Sequence, residues 1–185
     1  MVLFDSNFLL HLLQHNVPGS GPDDKKWIDK LVFRLQEVGE RILVATPVLS
    51  EVLVYAETAT PKYLDILHKA SRFKIAPFDE IAAVKAAESL AGDLKTGIGK
   101  RGGATGDWSV IKVDRQIVAI AVVESVKVIY SNDPQLKTLG ERHRIPVINL
   151  SILPTHLVPQ PMFDNVTPSF DSIFNPSASA ADQSI

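Results

Sequence analysis

The most constraining feature of this chain is a set of short apolar runs with no polar residue inside them. Val2-Leu3-Phe4 and Ile42-Leu43-Val44-Ala45 are the clearest, and Val126-Lys127-Val128-Ile129-Tyr130 adds a run broken once by a lysine. A strand with one wet face alternates apolar and polar residues, whereas a continuous run of this length reads as a strand covered on both faces. The stretches between the runs carry helical spacing. Phe8, Leu9, Leu12 and Leu13 form one stripe, and Trp27, Ile28, Leu31, Leu35 and Val38 form another. Strands are therefore expected over 2–5, 42–45, 73–78, 126–130 and 145–150. Helices are expected over 8–14, 23–38, 46–55, 61–71, 80–95, 109–124 and 134–143. This alternation predicts an α/β fold, a three-layer α/β/α sandwich around a mostly parallel sheet of about five strands with right-handed crossovers.

Local signals agree with these boundaries. Ser6 or Asn7 is placed to cap the first helix, Thr46 to cap the third ahead of Pro47, and Asp79 to cap the helix that follows it. Gly39 is placed to stop the second helix. No internal repeat stands out. After residue 150 the composition shifts: Pro154, Pro159, Pro161, Pro168 and Pro176 come with Ser, Asn and Gln, and periodicity is lost. The expected organisation is one domain over 1–150 and a Pro- and Ser-rich tail over 151–185, flexible or docked on the domain through Phe163, Phe170 and Phe174.

There is no cysteine, so disulfides, thiolate metal sites and cysteine nucleophiles are excluded together. No apolar run reaches the roughly 18 residues that span a bilayer, and the start of the chain lacks the pattern of a secretion signal. The expected location is cytoplasmic. The net charge of −2 leaves no broadly basic surface for phosphate-rich partners.

Four acids stand at the ends of strands or the starts of helices: Asp5, Glu51, Asp114 and Asp133. In a parallel sheet such positions meet in the crevice outside the strand ends, where ligands bind. Clustered carboxylates repel, so they hold protons or a cation. An all-oxygen set favours Mg²⁺ or Mn²⁺. Each acid also has an ordinary role open to it. Asp5 and Asp133 would serve as helix caps, Asp114 as a partner of Arg115 or Lys112, and Glu51 as a surface residue.

Over residues 1–150 the chain resembles the PIN-domain nucleases. The resemblance rests on Val2-Leu3-Phe4-Asp5-Ser6-Asn7, Thr46-Pro47-Val48-Leu49-Ser50-Glu51, the helix from Asp114 to Ala121, Ile129-Tyr130-Ser131-Asn132-Asp133, and the closing Arg144-Ile145-Pro146-Val147-Ile148. It implies an Mg²⁺- or Mn²⁺-dependent endoribonuclease in which Asp5, Glu51, Asp114 and Asp133 are the metal-binding and catalytic quartet. Ser6 and Asn132 resemble the residues that support such a site. The resemblance further implies an RNA substrate, an antitoxin protein as partner if the chain is a toxin, and a homodimer formed through the exposed faces of helices 23–38 and 61–71.

Two departures stand out. Arg115 occupies a position where a small residue is common, and the loop over 95–108 is long and rich in glycine. That loop, with Lys100 and Arg101, would approach phosphate together with Lys112 and Arg115, the four cations expected to hold RNA. His11 and His15 are spaced for one helix face but have no further zinc ligands. Two other functions compete. A phosphatase of the haloacid dehalogenase kind needs an acid two residues after Asp5, where Asn7 stands. A non-catalytic RNA-binding or scaffold module would keep the fold without turnover.

Overall fold

A computed structural model describes residues 1–13, 17 and 21–157. Its centre is one five-stranded sheet made of β1 (Val2–Phe4), β2 (Ile42–Ala45), β3 (Phe73–Ala76), β4 (Val128–Tyr130) and β5 (Val147–Ile148). The order is β3-β2-β1-β4-β5 and every pairing is parallel. The helices are α1 (Ser6–Leu13), α2 (Asp24–Glu37), α3 (Thr46–Ala56), α4 (Thr60–Lys69), α5 (Glu80–Lys95), α6 (Trp108–Val123), α7 (Pro134–Arg142) and the short α8 (Leu153–Leu157).

The topology follows from crossover handedness. The chain steps from β1 to β2 to β3 in one direction, then returns to the far side of β1 for β4 and β5. Right-handed connections in opposite directions place their helices on opposite faces. Accordingly α1 packs with α2 and α3, α3 packs with α4, and α6 packs with α5 and α7. The predicted three-layer sandwich is present. Direction reverses between β1 and β4, and the carboxyl ends of those two strands flank the crevice that the reversal opens.

Cover on both faces explains the apolar runs: all residues of β1, β2, β4 and β5 are buried. Phe4, Phe8 and Tyr130 close the centre, with ring centroids 5.5 to 5.8 Å apart in tilted or edge-on contacts.

Three helices enter their following strands through one device. At the ends of α2, α6 and α7 the backbone turns left-handed at Gly39 (φ 69), Ser125 (φ 52) and Arg144 (φ 59). The next residue donates back across the turn: Glu40 N to Leu35 O, Val126 N to Ala121 O and Ile145 N to Gly140 O. This corrects two strand starts. Val126 and Ile145 are buried because they seal helix ends, so β4 begins at Val128 and β5 at Val147. Thr46 is corrected too. Ala45 occupies the cap position of α3, and the Thr46 hydroxyl accepts from Phe78 N at 3.1 Å, tying the ends of β2 and β3 together. Asp79 caps α5 as expected, accepting from Ala82 N at 2.9 Å.

The packed structure runs past residue 150. Leu153 is buried, and α8 lies against α2. The expectations for 14–16, 18–20 and 158–185, His15 among them, lie outside the described residues.

Gly140 is the tightest point in the α7 layer. A Cβ there would stand 2.8 Å from Val147 Cγ2 and 3.4 Å from the Ile145 carbonyl oxygen. Gly140→Ala is expected to destabilise the fold by about 1–3 kcal/mol through overpacking, read as a lower urea midpoint at unchanged m-value.

Candidate active site

The cleft at the reversal point is lined by Asp5, Ser6, Glu51, Ser109, Val110, Val113, Asp114, Ile117 and Asp133, and encloses about 390 Å³. A water in the liquid occupies about 30 Å³. The space therefore accommodates a hydrated cation together with a phosphate group. All four acids predicted from sequence are on its wall. They come from the end of β1, the first turns of α3, the middle of α6 and the end of β4.

Asp5 leaves β1 directly into α1 and is buried. Its Oδ1 accepts from Ser6 N at 2.7 Å and its Oδ2 from the Ser131 hydroxyl at 2.6 Å. The Ser131 oxygen also accepts from Asp133 N at 2.9 Å, so one serine fixes both strand-end acids. Asp133 is half-buried and starts α7, with Oδ1 accepting from Gln135 N at 2.6 Å. Asp5 and Asp133 thus fill the capping roles open to them while still lining the cleft. Glu51 is exposed at the rim.

Asp114 is the anomaly. It is buried on α6, and its Oδ2 has no hydrogen-bond partner. A buried carboxylate oxygen left unpaired costs several kcal/mol unless it is protonated or neutralised by a cation. Burial, followed by the charges of Asp133, Asp5 and Glu51, pushes its pKa up to about 7. Asp5 moves upward for the same first reason, and the bonds from Ser131 and Ser6 oppose the shift. The four acids therefore sense each other across one cleft.

Among the described residues, no three His, Asp or Glu side chains stand close enough to chelate a single ion directly. The described residues therefore do not offer direct ligation of one ion by all four acids, whereas Mg²⁺ keeps several of its waters and takes only one or two carboxylates from protein. The unpartnered Asp114 oxygen and the buried Asp5 carboxylate fit that demand. Glu51 and Asp133 line the same cleft.

The expected cation set is corrected at Arg115. It points away from the cleft, is buried, and pairs with Asp93, while also donating to Ser89 Oγ at 3.3 Å and to the Lys100 carbonyl at 3.0 Å. Asp93 is buried as well and pairs with Arg142. Arg115 is thus a structural cation that binds α5 to α6 and the glycine-rich loop, and it is not available to RNA. Gly102 lets the loop approach this ion pair: a Cβ there would stand 2.7 Å from Arg115 Nη2, and its φ is +62. Several loop amides close local turns, such as Gly102 N to Gly99 O and Ala104 N to Arg101 O, and so do not face a phosphate. Lys100 is exposed and lies 5.4 Å from the Trp108 ring centre, next to the cleft residue Ser109, and Arg101 is exposed beside it. Lys112 is exposed, but two residues of helix place it on roughly the opposite side of α6 from Asp114.

Asn132 ties the site together from outside. Its Nδ2 donates to Asn7 Oδ1 at 2.9 Å, and its Oδ1 accepts from Leu150 N at 2.8 Å. Asn7, where a phosphatase of the haloacid dehalogenase kind needs its acid, is an amide in a bridge between α1 and the end of β4. His11 is buried with Asp24 as its nearest acid, at 3.9 Å. Sequence reading missed Ser131 as a support and Asp93 as the partner of Arg115. A small hydroxyl two residues before Asp133 was the only signal for the first. A lone acid inside the Ala-rich stretch of α5 was the signal for the second.

No family model matches the chain, and no curated protein matches it in sequence. Solved structures do match in fold. VapBC2 from Rickettsia felis, bound to a DNA fragment from its promoter, aligns with TM-score 0.51 at 16% identity, covering 80% of this chain and 98% of that one. VapC20 of Mycobacterium tuberculosis, a toxin that cleaves the sarcin-ricin loop, aligns with TM-score 0.52 at 13% identity, covering 76% and 95%. At these identities the likeness is one of fold. No described helix is long and apolar enough to cross a membrane.

Proposed function

We propose that this chain, which has the fold of the PIN-domain nucleases, is an Mg²⁺- or Mn²⁺-dependent endoribonuclease working in the cleft of Asp5, Glu51, Asp114 and Asp133. The observation that carries the reading is Asp114, buried on the cleft wall with an unpartnered Oδ2 and within the charge influence of three other acids that line the same cleft. Asp5 and Asp114 would hold the cation, and Ser131 keeps Asp5 in place. When bound, the cation polarises the phosphate and activates water as the nucleophile. Glu51, the exposed acid, takes the proton from the attacking water at its carboxylate. Asp133, held by the Gln135 and Ser131 hydrogen bonds, would orient the attacking water. Val110, Val113 and Ile117 form the apolar wall that lowers the local dielectric and strengthens these charges.

A sarcin-ricin loop toxin of this fold supports RNA as substrate, and the VapBC2 assembly supports an antitoxin partner for this chain. The cleft is acidic, so the partner would offer it an Arg or Lys. Homodimer formation belongs to the same reading. RNA is expected to be cut with Mg²⁺ or Mn²⁺ and left intact with EDTA. Cation binding without any cleavage would favour the scaffold reading. Cleavage that persists in EDTA would remove the metal from the account. With Arg115 and Lys112 set aside, Lys100 and Arg101 are the RNA contacts to test. Replacing both with Ala is expected to weaken RNA binding and flatten its salt dependence by a slope of about 2.

A further inference from the structure

The segment after α8 carries one seven-residue motif twice, far below the length of a structural repeat. Pro161-Met162-Phe163-Asp164-Asn165-Val166-Thr167 is followed at once by Pro168-Ser169-Phe170-Asp171-Ser172-Ile173-Phe174. Pro, Phe and Asp are identical in both copies. The next two positions keep their character: Asn and Ser, then Val and Ile. Residues 158–185 hold three Asp and no Lys or Arg.

The domain carries a groove of matching chemistry where this segment begins. It is lined by Lys26, Asp29, Lys30, Phe33, Arg34 and Leu157, and encloses about 580 Å³. Phe33 is 61% exposed, an unusual position for a large aromatic residue. Lys26, Lys30 and Arg34 recur every four residues and form one basic ridge along α2. Asp29 pairs with Lys25 at 2.5 Å, Lys26 with Asp23 at 3.8 Å and Arg34 with Glu37 at 3.3 Å, so Lys30 is the ridge cation left without an acid among the described residues. Lys30 lies over the Trp27 ring at 4.4 Å. Leu157, the last residue of α8, is itself a wall of the groove.

We propose that this Pro-x-Phe-Asp repeat docks within its own chain into the α2 groove, with a Phe against Phe33 and Leu157 and the following Asp on Lys30 and Arg34. Reach is sufficient. Phe163 lies six residues past Leu157, which allows about 20 Å of extended chain, and α2 is itself about 21 Å long. The short tether gives an effective concentration in the millimolar range, so weak apolar and ionic contacts suffice and a free second copy competes poorly. Two copies of the motif serve one groove, so each substitutes for the other.

The absence of cysteine allows a clean test. A single Thr167→Cys carrying a nitroxide, in otherwise intact protein, is read by broadening of backbone amide signals. The amides of Lys30, Phe33 and Arg34 are expected to broaden, unchanged on fivefold dilution. Broadening should vanish in Phe163→Ala/Phe170→Ala and persist in either single variant. Lys30→Glu/Arg34→Glu should lower the docked-to-free ratio by about tenfold. The proposal is overturned by silence along α2, or by no loss in the double Phe variant. It is also overturned by broadening when nitroxide protein is mixed with isotope-labelled, nitroxide-free protein, which would assign the groove to a second copy.

Discussion

Asp114→Asn is expected to lower metal-dependent RNA cleavage by at least about a hundredfold, because it removes one of the two carboxylates proposed to hold the cation. The same substitution should make the metal-free protein more stable. The carboxyl pKa of Asp114 in the fold is about 7, against an ordinary 3.8. Between those values the folded state binds more protons than the unfolded chain, so stability falls as pH rises through the window and levels off above about 7. Asn carries no such charge. At pH 8 without metal the variant should therefore exceed the parent by roughly 1–3 kcal/mol, or about 2–4 °C of Tm per kcal/mol. Lost activity with gained stability separates a ligand from a packing residue. Thermal melts across pH beside a cleavage assay read both, and a destabilised variant would contradict the charge argument.

Asp93→Ala is expected to produce the largest stability loss, about 3–5 kcal/mol by urea denaturation. Asp93 and Arg115 are both buried, and removing the acid leaves the guanidinium without its counter-charge. The Arg115 Nε already lacks a partner, and the acceptors that would remain, Ser89 Oγ and the Lys100 carbonyl, carry no charge. Arg142 is about one-third exposed at its side chain, and Arg142→Ala should cost nearer 1 kcal/mol. Equal losses for the two variants would show that Asp93 is not the hub of this contact. A loss of this size is a large share of the 5–15 kcal/mol that holds a domain folded. The glycine-rich loop should loosen with it, since Arg115 also holds the Lys100 carbonyl.

The parts of the fold that were legible depend on one physical rule. Val2-Leu3-Phe4 and Ile42-Leu43-Val44-Ala45 have no polar face because helices cover both sides of the sheet, and this is visible in a linear sequence. The acids were legible for a related reason. A carboxylate just past the end of a buried strand emerges at the sheet's carboxyl edge, as Asp5 does directly after β1 and Asp133 three residues past β4. The misreadings share a different cause. Val126 and Ile145 look like strand residues, yet they are buried as helix seals, and burial alone does not distinguish the two. Arg115 sits beside Asp114 in sequence, but neighbours on a helix diverge by about 100°, so one faces the cleft and the other faces Asp93. Asp93 is 22 residues from Arg115, and no local pattern pairs them. Ser131 has two acid contacts that exist only once β1 and β4 are adjacent.

The account turns on whether the cleft takes up a divalent cation through Asp5 and Asp114. Calorimetric titration of Mn²⁺ into the parent and into Asp5→Asn/Asp114→Asn reads this without any RNA. Saturable binding to the parent, released on EDTA and absent from the double variant, is the predicted result. Binding of equal strength in both proteins, or none in the parent, would contradict it.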